Sequence, residues 1–330
     1  MMTSFMIVLL TTTATAFTAP SWTHRTVGPQ VSGHAASVDE DGRTLAYGGL
    51  MDGAGSPCTD ELHAFGDGAW SKLETIGEAK PGKRMYASSA VLDGAYYLFG
   101  GWDPEAPGTG GAFLDDAWRL DLGSLKWTAL DALPCGPVSR HTSCTVGNLI
   151  LVHTFRSTLV CDGDAVRMQP TTGEGPAGFS MCAAAPLGQH EMLVFGGSTK
   201  TQGMTGDAFV LDTRTWEWRK LRTVTGEAVP TPRGSSCAAP IDGRTCVIYG
   251  GAGLGGDGYA GGAGLTPFDE TWTLHVDGDE ASWTRLELGL APPARVAASL
   301  SPLPSGEFLL HGGWTPLTKE TFDASYVLKL

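Results

Sequence analysis

Four arginines recur at one position of a repeated sequence pattern and supply the clearest binding chemistry in the chain. In six successive units this position reads Gly33, Arg84, Arg140, Gly178, Arg233 and Arg295. A planar guanidinium group takes a carboxylate in two hydrogen bonds. An arginine can equally be bound within its own protein, by a backbone carbonyl or a neighbouring acidic side chain. The spacing is compatible with both roles, so the elements that hold these arginines must be identified first.

The histidines and cysteines give little support for a catalytic or metal centre. The eight histidines are scattered over different strand positions, and the seven cysteines form no Cys-x-x-Cys pair or Cys/His cluster with zinc spacing. His141 adjoins Arg140, and His153 lies near Arg156, so this group could bind a ligand or transfer protons. Ordinary core or surface positions are the alternative. We predict no metal and no cofactor.

Composition excludes one class of partner and favours one class of fold. The 330 residues carry a formal charge of -13, which argues against nucleic acid because binding to phosphates depends on clustered Lys and Arg. The chain contains 46 Gly and 20 Pro, and no stretch of ten or more residues has convincing helical periodicity. These features favour short strands joined by tight turns.

Double glycines that follow apolar residues divide the sequence into units of about fifty residues. They begin at Gly48, Gly100, Gly196, Gly250 and Gly312. The interval from Gly100 to Gly196 is nearly twice the others, so a sixth unit, whose strand is 149–154, has lost its glycines. Six two-residue turns, such as Asp93-Gly94, precede these strands and predict six hairpins.

Each full unit continues with a strand that opens near an aspartate and a strand that carries a tryptophan. The tryptophans are Trp70, Trp127, Trp218 and Trp283, and we interpret them as core residues. The last unit lacks a fourth strand, whereas Ser21–Arg25 at the other end has the sequence of one. Pairing of this segment with the C-terminal strand 326–330 would close the ring and cover two exposed strand edges.

This combination of Gly-Gly, Trp and a fifty-residue period resembles the kelch repeat, and the chain is identified as a member of the kelch-repeat superfamily, similar to the central domain of galactose oxidase. The resemblance covers the chain after about residue 20. We predict an all-β, six-bladed kelch-type β-propeller over 21–330, closed by its N-terminal strand, with a degenerate blade 3 at about 140–170.

Long loops between the second and third strands emerge on one side of such a propeller, because successive strands reverse direction. We call this side the long-loop face and predict that it binds the partner. The loops are 50–59, 102–114, 198–206, 252–268 and 314–322. In kelch adaptors of ubiquitin ligases, arginines at the matching place bind acidic segments, so the resemblance implies that role here. The predicted ligand-binding residues are Arg84, Arg140, Arg233, Arg295, Trp102, Trp314 and His141.

The resemblance favours a non-catalytic binding module over an enzyme. We predict a protein partner with an acidic peptide segment, or a glycan, and no membrane span in the mature chain. The alternative is a secreted propeller enzyme, either an oxidoreductase similar to galactose oxidase or a sugar epimerase, with its active site on the same face. The iron-site pattern of nitrile-specifier proteins does not occur around any histidine.

Residues 1–20 are predicted to form a targeting segment. An apolar stretch, Phe5–Leu10, is followed by the small-x-small site Ala14-Thr15-Ala16 before Phe17, which is typical of a secretory signal although the positive n-region is missing. The junction also resembles bipartite signals that route proteins into plastids of secondary endosymbiotic origin. The expected location is the secretory pathway or the extracellular space, with the plastid and the cytoplasm as alternatives.

Overall fold

The fold of the chain is an all-β propeller of six blades. The computed structural model describes residues 19–51, 57–108, 110–199, 203–224, 226, 228–254 and 264–330, and no helix occurs among them. Accordingly, no apolar helix of membrane-spanning length is found in this described part. Most of the predicted targeting segment, residues 1–18, lies outside it. The predicted six-bladed fold is confirmed.

Each blade is an antiparallel sheet whose first strand lies innermost, at the axis. Blade 1 consists of Ala35–Val38, Thr44–Tyr47, Leu62–Gly66 and Ala69–Leu73. Blade 2 consists of Ser88–Leu92, Ala95–Asp103, Ala112–Asp121 and Lys126–Ala129. Blade 3 consists of Thr142–Val146, Leu149–His153, Thr158–Cys161 and Val166–Gln169. Blade 4 consists of Ala183–Leu187, Glu191–Phe195, Ala208–Asp212 and Glu217–Lys220. Blade 5 consists of Cys237–Pro240, Thr245–Tyr249, Thr271–Asp277 and Glu280–Arg285. Blade 6 consists of Ser299–Pro302, Phe308–His311, Ala324–Lys329 and Ser21–Val27.

Short additional strands extend blades 4 and 5. Thr172–Gly173 and Arg222–Thr223 pair in parallel with the outermost strands of blades 4 and 5. Ser198–Thr199 pairs with Gly203–Met204, and Ala252–Leu254 pairs with Leu265–Pro267. In blade 2, part of the predicted loop 102–114 is strand, because the pairing continues through Trp102 and Phe113. Parts of the other predicted loops, at 52–56, 200–202 and 255–263, lie outside the described residues, as does residue 109.

The ring is closed by the N-terminal strand, as predicted. Ser21–Val27 pairs antiparallel with Ala324–Lys329 and forms the outer edge of blade 6. Trp22 on this strand is buried, and its indole Nε1 donates a hydrogen bond of 3.0 Å to Thr271 Oγ1 in blade 5. Its ring lies 5.2 Å from that of Tyr249. The closing strand therefore contributes to the core of the neighbouring blade as well as to its own sheet.

Aromatic pairs join five of the six blade interfaces. The residue that ends the second strand of one blade packs against a tryptophan in the outer strand of the next blade. The pairs are Tyr47–Trp127, His153–Trp218, Phe195–Trp283, Tyr249–Trp22 and His311–Trp70, with ring centroids 4.3 to 5.6 Å apart. Blade 3 has no tryptophan in its outer strand, so the interface between blades 2 and 3 is built differently. The recurring tryptophans are thus interface anchors.

Histidine takes the aromatic position at two interfaces, between blades 3 and 4 and between blades 6 and 1, which face each other across the ring. His153 and His311 are both buried there. His311 Nδ1 and Ser325 Oγ are hydrogen-bonded at 2.9 Å, and the same hydroxyl accepts a bond of 2.9 Å from Trp70 Nε1. Burial lowers the pKa of His153 to about 4 and lowers that of His311 well below its usual value. Both imidazoles are therefore neutral at pH 7.

We expect these two histidines to make the ring sensitive to acid. Because their pKa values are lower in the folded than in the unfolded chain, the unfolded chain binds more protons below about pH 6.5, and stability falls as the pH decreases. Phenylalanine occupies the same place in blades 2 and 4, so His153→Phe/His311→Phe should fold. We expect this double variant to lose at least about 2 kcal/mol less than the wild type between pH 7 and pH 5, which is the share of His153 alone. Urea unfolding at both pH values measures the loss, with exposed His275→Phe as the control, and equal losses in all three proteins would contradict the expectation.

Removal of the closing strand should weaken the whole propeller. Deletion of Ser21–Val27 exposes the edge of Ala324–Lys329 and removes the buried Trp22 from the core. The loss of one buried tryptophan alone costs about 3 to 5 kcal/mol. A chain that starts at residue 28 should therefore melt at least ~5 °C below a chain that starts at residue 20. Differential scanning calorimetry measures this difference, and equal melting temperatures would show that the strand does not close the ring.

Candidate functional site

The hydrogen bonds between blades correct the predicted alignment of the arginines. The second glycine of each double glycine donates its N–H to a carbonyl at the entry to the next blade. The accepting residues are Val31, Arg84, Val138, Arg233 and Arg295. Val138, not Arg140, is therefore the equivalent of Arg84 in blade 3. The spacing to the inner strand agrees: Arg84 lies four residues before Ser88, the first paired residue of its strand, whereas Arg140 lies only two residues before Thr142, the first paired residue in blade 3.

Arg84 and Arg233 are buried and bound within their own blades. Their residues are 2% and 0% exposed. The Arg84 guanidinium contacts Asp116 through two hydrogen bonds of 2.6 and 2.7 Å, and Nη1 also donates to the Gly100 carbonyl at 2.9 Å. Arg233 repeats the arrangement with Glu270, at 2.6 Å. Although burial acts to raise it, the pKa of the Asp116 carboxyl is lowered by its hydrogen bonds with Arg84.

Arg295 is buried in the same way but has no acidic partner among the described residues. It is 1% exposed, and its Nη1 donates to the Gly312 carbonyl at 2.9 Å. The guanidinium lies 4.1 Å from the Phe322 ring centroid, which adds a cation–π contact. Ala324 stands where blades 2 and 5 have Asp116 and Glu270. The prediction that all four arginines bind a ligand on the long-loop face therefore needs correction for Arg84, Arg233 and Arg295, because each is enclosed by its own blade.

Six residues around the axis form a closed ring of backbone hydrogen bonds, which we call the mouth ring. One residue of each blade donates its N–H to the carbonyl of the corresponding residue in the preceding blade, over 2.6 to 3.0 Å. All six have φ between 54° and 63°. The members are Gly33, Tyr86, Arg140, Met181, Ser235 and Ala297. The ring lies at the entry to the inner strands, so it surrounds the axial opening on the long-loop face.

Arg140 is the one arginine of the predicted set that belongs to the mouth ring. Its guanidinium lies 4.7 Å from the Tyr86 ring centroid and 5.6 Å from that of Trp102. In the described part of the chain, this half-buried group has no carboxylate within ion-pair distance. Tyr86 and Trp102 come from blade 2, so the site is formed at the interface of blades 2 and 3. Trp314 lies in blade 6, across the axis, where it pairs with Val296 and is not part of this group.

Blade 3 has only a short turn on the long-loop face, on the same face as Arg140. Its second and third strands are joined by a tight turn in which the Thr154 N–H donates to the Ser157 carbonyl at 2.8 Å. Phe155 and Arg156 in this turn are exposed, and Arg156 has no carboxylate partner among the residues that the structure describes. The surface made by Tyr86, Trp102, Arg140, Phe155 and Arg156 is called the blade-3 surface below. It combines aromatic faces with two cations that are free to bind an anion.

His141 follows Arg140, but its ring nitrogens are shielded from solvent. It lines the cavity on the propeller axis. Burial lowers its pKa to about 4, so the imidazole is neutral at pH 7. No group of three or more His, Cys, Asp or Glu suited to a metal ion occurs within the described ranges. The imidazole of His141 is thus both uncharged and enclosed.

The buried and the accessible arginine should differ sharply in their effect on stability. Arg84→Ala leaves the partly buried Asp116 carboxylate without its bidentate partner, which should cost about 2 to 4 kcal/mol of unfolding free energy. Arg140→Ala removes only stacking on aromatic rings and should cost less than about 1 kcal/mol. Urea unfolding at pH 7 measures both losses. Equal losses would mean that Arg140 is as much a part of the framework as Arg84.

A family model and several known proteins match this chain. The model described as "KLHDC2/KLHL20/DRC7 Kelch-repeats domain" matches residues 3–174 and 158–330. Kelch domain-containing protein 10 of Xenopus tropicalis is 28% identical over 205 residues, which are 55% of this chain and 46% of that protein. Dynein regulatory complex subunit 7 of Chlamydomonas reinhardtii is 29% identical over 164 residues, 44% of this chain and 14% of that protein. This chain thus spans less than half the length of either relative.

The solved structure of YjhT has the same fold. It superposes with a TM-score of 0.67 and covers 91% of this chain and 97% of its own, at 17% sequence identity. At this level of identity, the likeness concerns the propeller architecture. The residues of the mouth ring and the blade-3 surface must therefore be judged on their own chemistry.

Proposed function

This chain belongs to the KLHDC2/KLHL20/DRC7 family of kelch-repeat domains, and we propose on that basis that it is a protein-interaction module that binds an acidic segment of its partner on the blade-3 surface. The observation that carries the proposal is Arg140, a guanidinium held between Tyr86 and Trp102 without an acidic partner in the described chain. In this proposal Arg140 takes a carboxylate of the partner, and the two aromatic rings contact the neighbouring apolar atoms.

The distribution of charge supports this location. Most arginines and lysines of the described chain contact an acidic side chain, as Arg84, Arg219 and Arg244 do. Arg140 and Arg156 are exceptions, and both lie on the long-loop face of blade 3. In a chain with a formal charge of -13, a small site with unneutralised cations attracts anionic groups selectively.

The shape of the blade-3 surface suits an extended segment. The turn at Thr154–Ser157 is short, whereas blade 2 raises a paired ribbon through Trp102 and Phe113. An extended segment of the partner can therefore approach the mouth ring over blade 3 and contact Trp102 at its side. Backbone groups of the mouth ring are bonded to one another, so the partner must be recognised by side chains. This favours a contact based on a carboxylate and an apolar neighbour.

Binding of acidic peptides should depend on Arg140. Decapeptides that contain Asp and Glu are compared with counterparts in which alanine replaces these residues, by fluorescence anisotropy at low salt. We expect Arg140→Ala to weaken binding of the acidic peptides at least ~10-fold. Arg140→Lys should retain only part of the wild-type affinity, because an ammonium group cannot form the bidentate contact.

The matched control is Arg25→Ala, since Arg25 is an exposed arginine on the outer closing strand, away from the long-loop opening. This variant should bind like the wild type. Added salt should weaken binding of the acidic peptides more than binding of their alanine counterparts. If Arg25→Ala and Arg140→Ala had the same effect, the attraction would be a property of total charge, and the proposed site would be rejected.

A further inference from the structure

Segments that lead from one blade to the next run along the outer edge of three blades. In blades 2, 4 and 5 the segment before the inner strand pairs in parallel with the outermost strand. In each case one backbone N–H donates to the carbonyl two residues before the tryptophan of that strand, over 2.8 to 3.1 Å. A parallel segment is thus a repeated component of the blade edge. The pairs of donor and acceptor are Ile76 and Leu125, Thr172 and Trp216, and Val224 and Ala281.

These three segments share a short sequence pattern. The residue that donates the N–H is β-branched in each, a residue type that suits extended backbone. Threonine precedes the donor, and Gly-Glu follows it, directly in two segments and after one further residue in the third. The blade edge therefore accepts extended segments of a recognisable sequence. They read Thr75-Ile76-Gly77-Glu78, Thr171-Thr172-Gly173-Glu174 and Thr223-Val224-Thr225-Gly226-Glu227.

Blade 3 has the same kind of edge without such a segment. Val166 pairs with Cys161 as Trp218 pairs with Leu211 in blade 4, so Val166 takes the place of the tryptophan. Alternate residues of a strand direct their backbone groups to the same side, so Val166 and Met168 both direct theirs to the outer edge. Within the residues that the structure describes, the strand Val166–Gln169 has a neighbouring strand on one side only. Its other side is open.

The segment before blade 3 follows blade 2 instead. Leu130 and Leu133 donate their N–H groups to the carbonyls of Ala117 and Asp115, at 2.8 and 2.6 Å. Both acceptors lie in the third strand of blade 2, and Leu133 is buried in the core between blades 2 and 3. The segment is therefore held away from the outer edge of blade 3, where Met168 is 48% exposed.

Blades 1 and 6 differ from blade 3 at this edge. In blade 1 the residue two positions before the tryptophan is Gly68, and a Cβ added to it would lie 2.6 Å from Nη2 of Arg25. The side chain of Arg25 therefore lies against this position. In blade 6 the equivalent residue is Pro20, which precedes the first paired residue, Ser21. An edge strand that is neither covered nor cut short attracts extended chains, and the described edge of blade 3 has neither protection.

We propose that the outer edge of blade 3, Val166–Gln169, binds an extended segment of a partner protein by parallel strand addition. A β-branched residue followed by Gly-Glu pairs with this edge as Thr172 pairs with blade 4. Backbone hydrogen bonds supply the affinity, and the flexible side chain of Met168 packs against an apolar neighbour. A second copy of this chain is disfavoured, because its own three segments of this pattern are already paired and two chains of charge -13 repel each other.

The edge of blade 3 and the blade-3 surface are placed to bind one continuous segment. The segments that contain Ile76, Thr172 and Val224 cross the long-loop face and join the mouth ring 9 to 11 residues later. Arg140 is the mouth-ring member of blade 3. A partner that follows the same course has a carboxylate about ten residues after its β-branched residue. This spacing rests on the proposed function, whereas the edge site itself does not.

Backbone pairing is tested with a capped octapeptide that has the sequence of residues 73–80. One derivative is N-methylated at the isoleucine, whose N–H donates to the edge in blade 2, and a second is N-methylated at the preceding threonine, whose N–H points away. Each is titrated into the full chain, and the backbone amide NMR signal of Val166 is followed, with that of Thr23 on the edge of blade 6 as the reference. We expect saturable shifts of Val166 in the millimolar range with the octapeptide and the threonine derivative, and at least ~5-fold weaker binding of the isoleucine derivative.

Three results would overturn the proposal. They are the absence of a shift at Val166, equal binding of the two derivatives, and equal shifts at Val166 and Thr23. A shift of Val166 that depends on protein concentration without peptide would assign the edge to a second copy, which also overturns it.

Val166→Pro tests the same contact from the side of the protein. Proline is tolerated on an edge strand whose N–H points outward, but it removes that N–H. We expect Val166→Pro to weaken binding of the octapeptide at least ~5-fold, whereas Val166→Ala, which keeps the N–H, should bind within ~3-fold of the wild type. Unchanged binding by Val166→Pro would contradict the site. Circular dichroism confirms that each variant is folded, and if Val166→Pro does not fold, the N-methylated peptides with the wild type decide the question.

Two longer peptides test the connection to Arg140. Each extends the octapeptide with glycine and serine and carries either Asp or Ala ten residues after the isoleucine. We expect the Asp peptide to bind the wild type at least ~3-fold more tightly than the Ala peptide, and Arg140→Ala to abolish this difference. If both peptides bind the wild type equally, the edge site stands and its connection with the proposed function fails. If the acidic decapeptides bind at Arg140 but the octapeptide does not shift Val166, the proposed function stands and the edge site fails.

Discussion

The structure depends on one backbone hydrogen bond that is repeated from blade to blade. The second glycine of a double glycine donates to a carbonyl at the entry to the next blade, as in Gly49 to Arg84 at 2.8 Å. The approach is so close that a Cβ at Gly48 would lie 2.5 Å from the Arg84 carbonyl oxygen. Both glycines also have positive φ, at 69° and 103°. Glycine is required here for its missing side chain as well as for its conformation.

This contact determines the positions of the residues that follow it at the entry to the inner strand. Once the carbonyl is held, the side chain of the same residue enters its own blade, which buries Arg84 and Arg233 against Asp116 and Glu270. Two residues later the chain turns into the left-handed conformation and joins the mouth ring. Five members of that ring are not glycine, and each such φ costs about 1 kcal/mol. The six mutual hydrogen bonds offset this cost, so the ring exists only when all six blades are in place.

The sequence was sufficient to predict the features that depend on local patterns. Gly-Gly, the two-residue turns and the recurring tryptophans predicted six blades, and Trp22 in a strand-like segment predicted the closure. The place of Arg140 was predicted incorrectly, because residue type was used for alignment and blade 3 had lost the glycines that mark the register. The acidic residue that opens the third strand, present as Asp116, was the signal that Arg84 is paired. The mouth ring involves backbone atoms alone and leaves no signature in residue types.

The two histidine interfaces divide the propeller into halves of three blades, and the candidate binding groups are unequally distributed between them. Tyr86, Trp102 and Arg140 all belong to blades 1 to 3, so a carboxylate contact on the blade-3 surface does not bridge the halves. The mouth ring does, because Met181 donates to Arg140 across one of these interfaces and Gly33 donates to Ala297 across the other. Its hydrogen bonds are therefore coupled to closure of the propeller, whereas the surface contact is not.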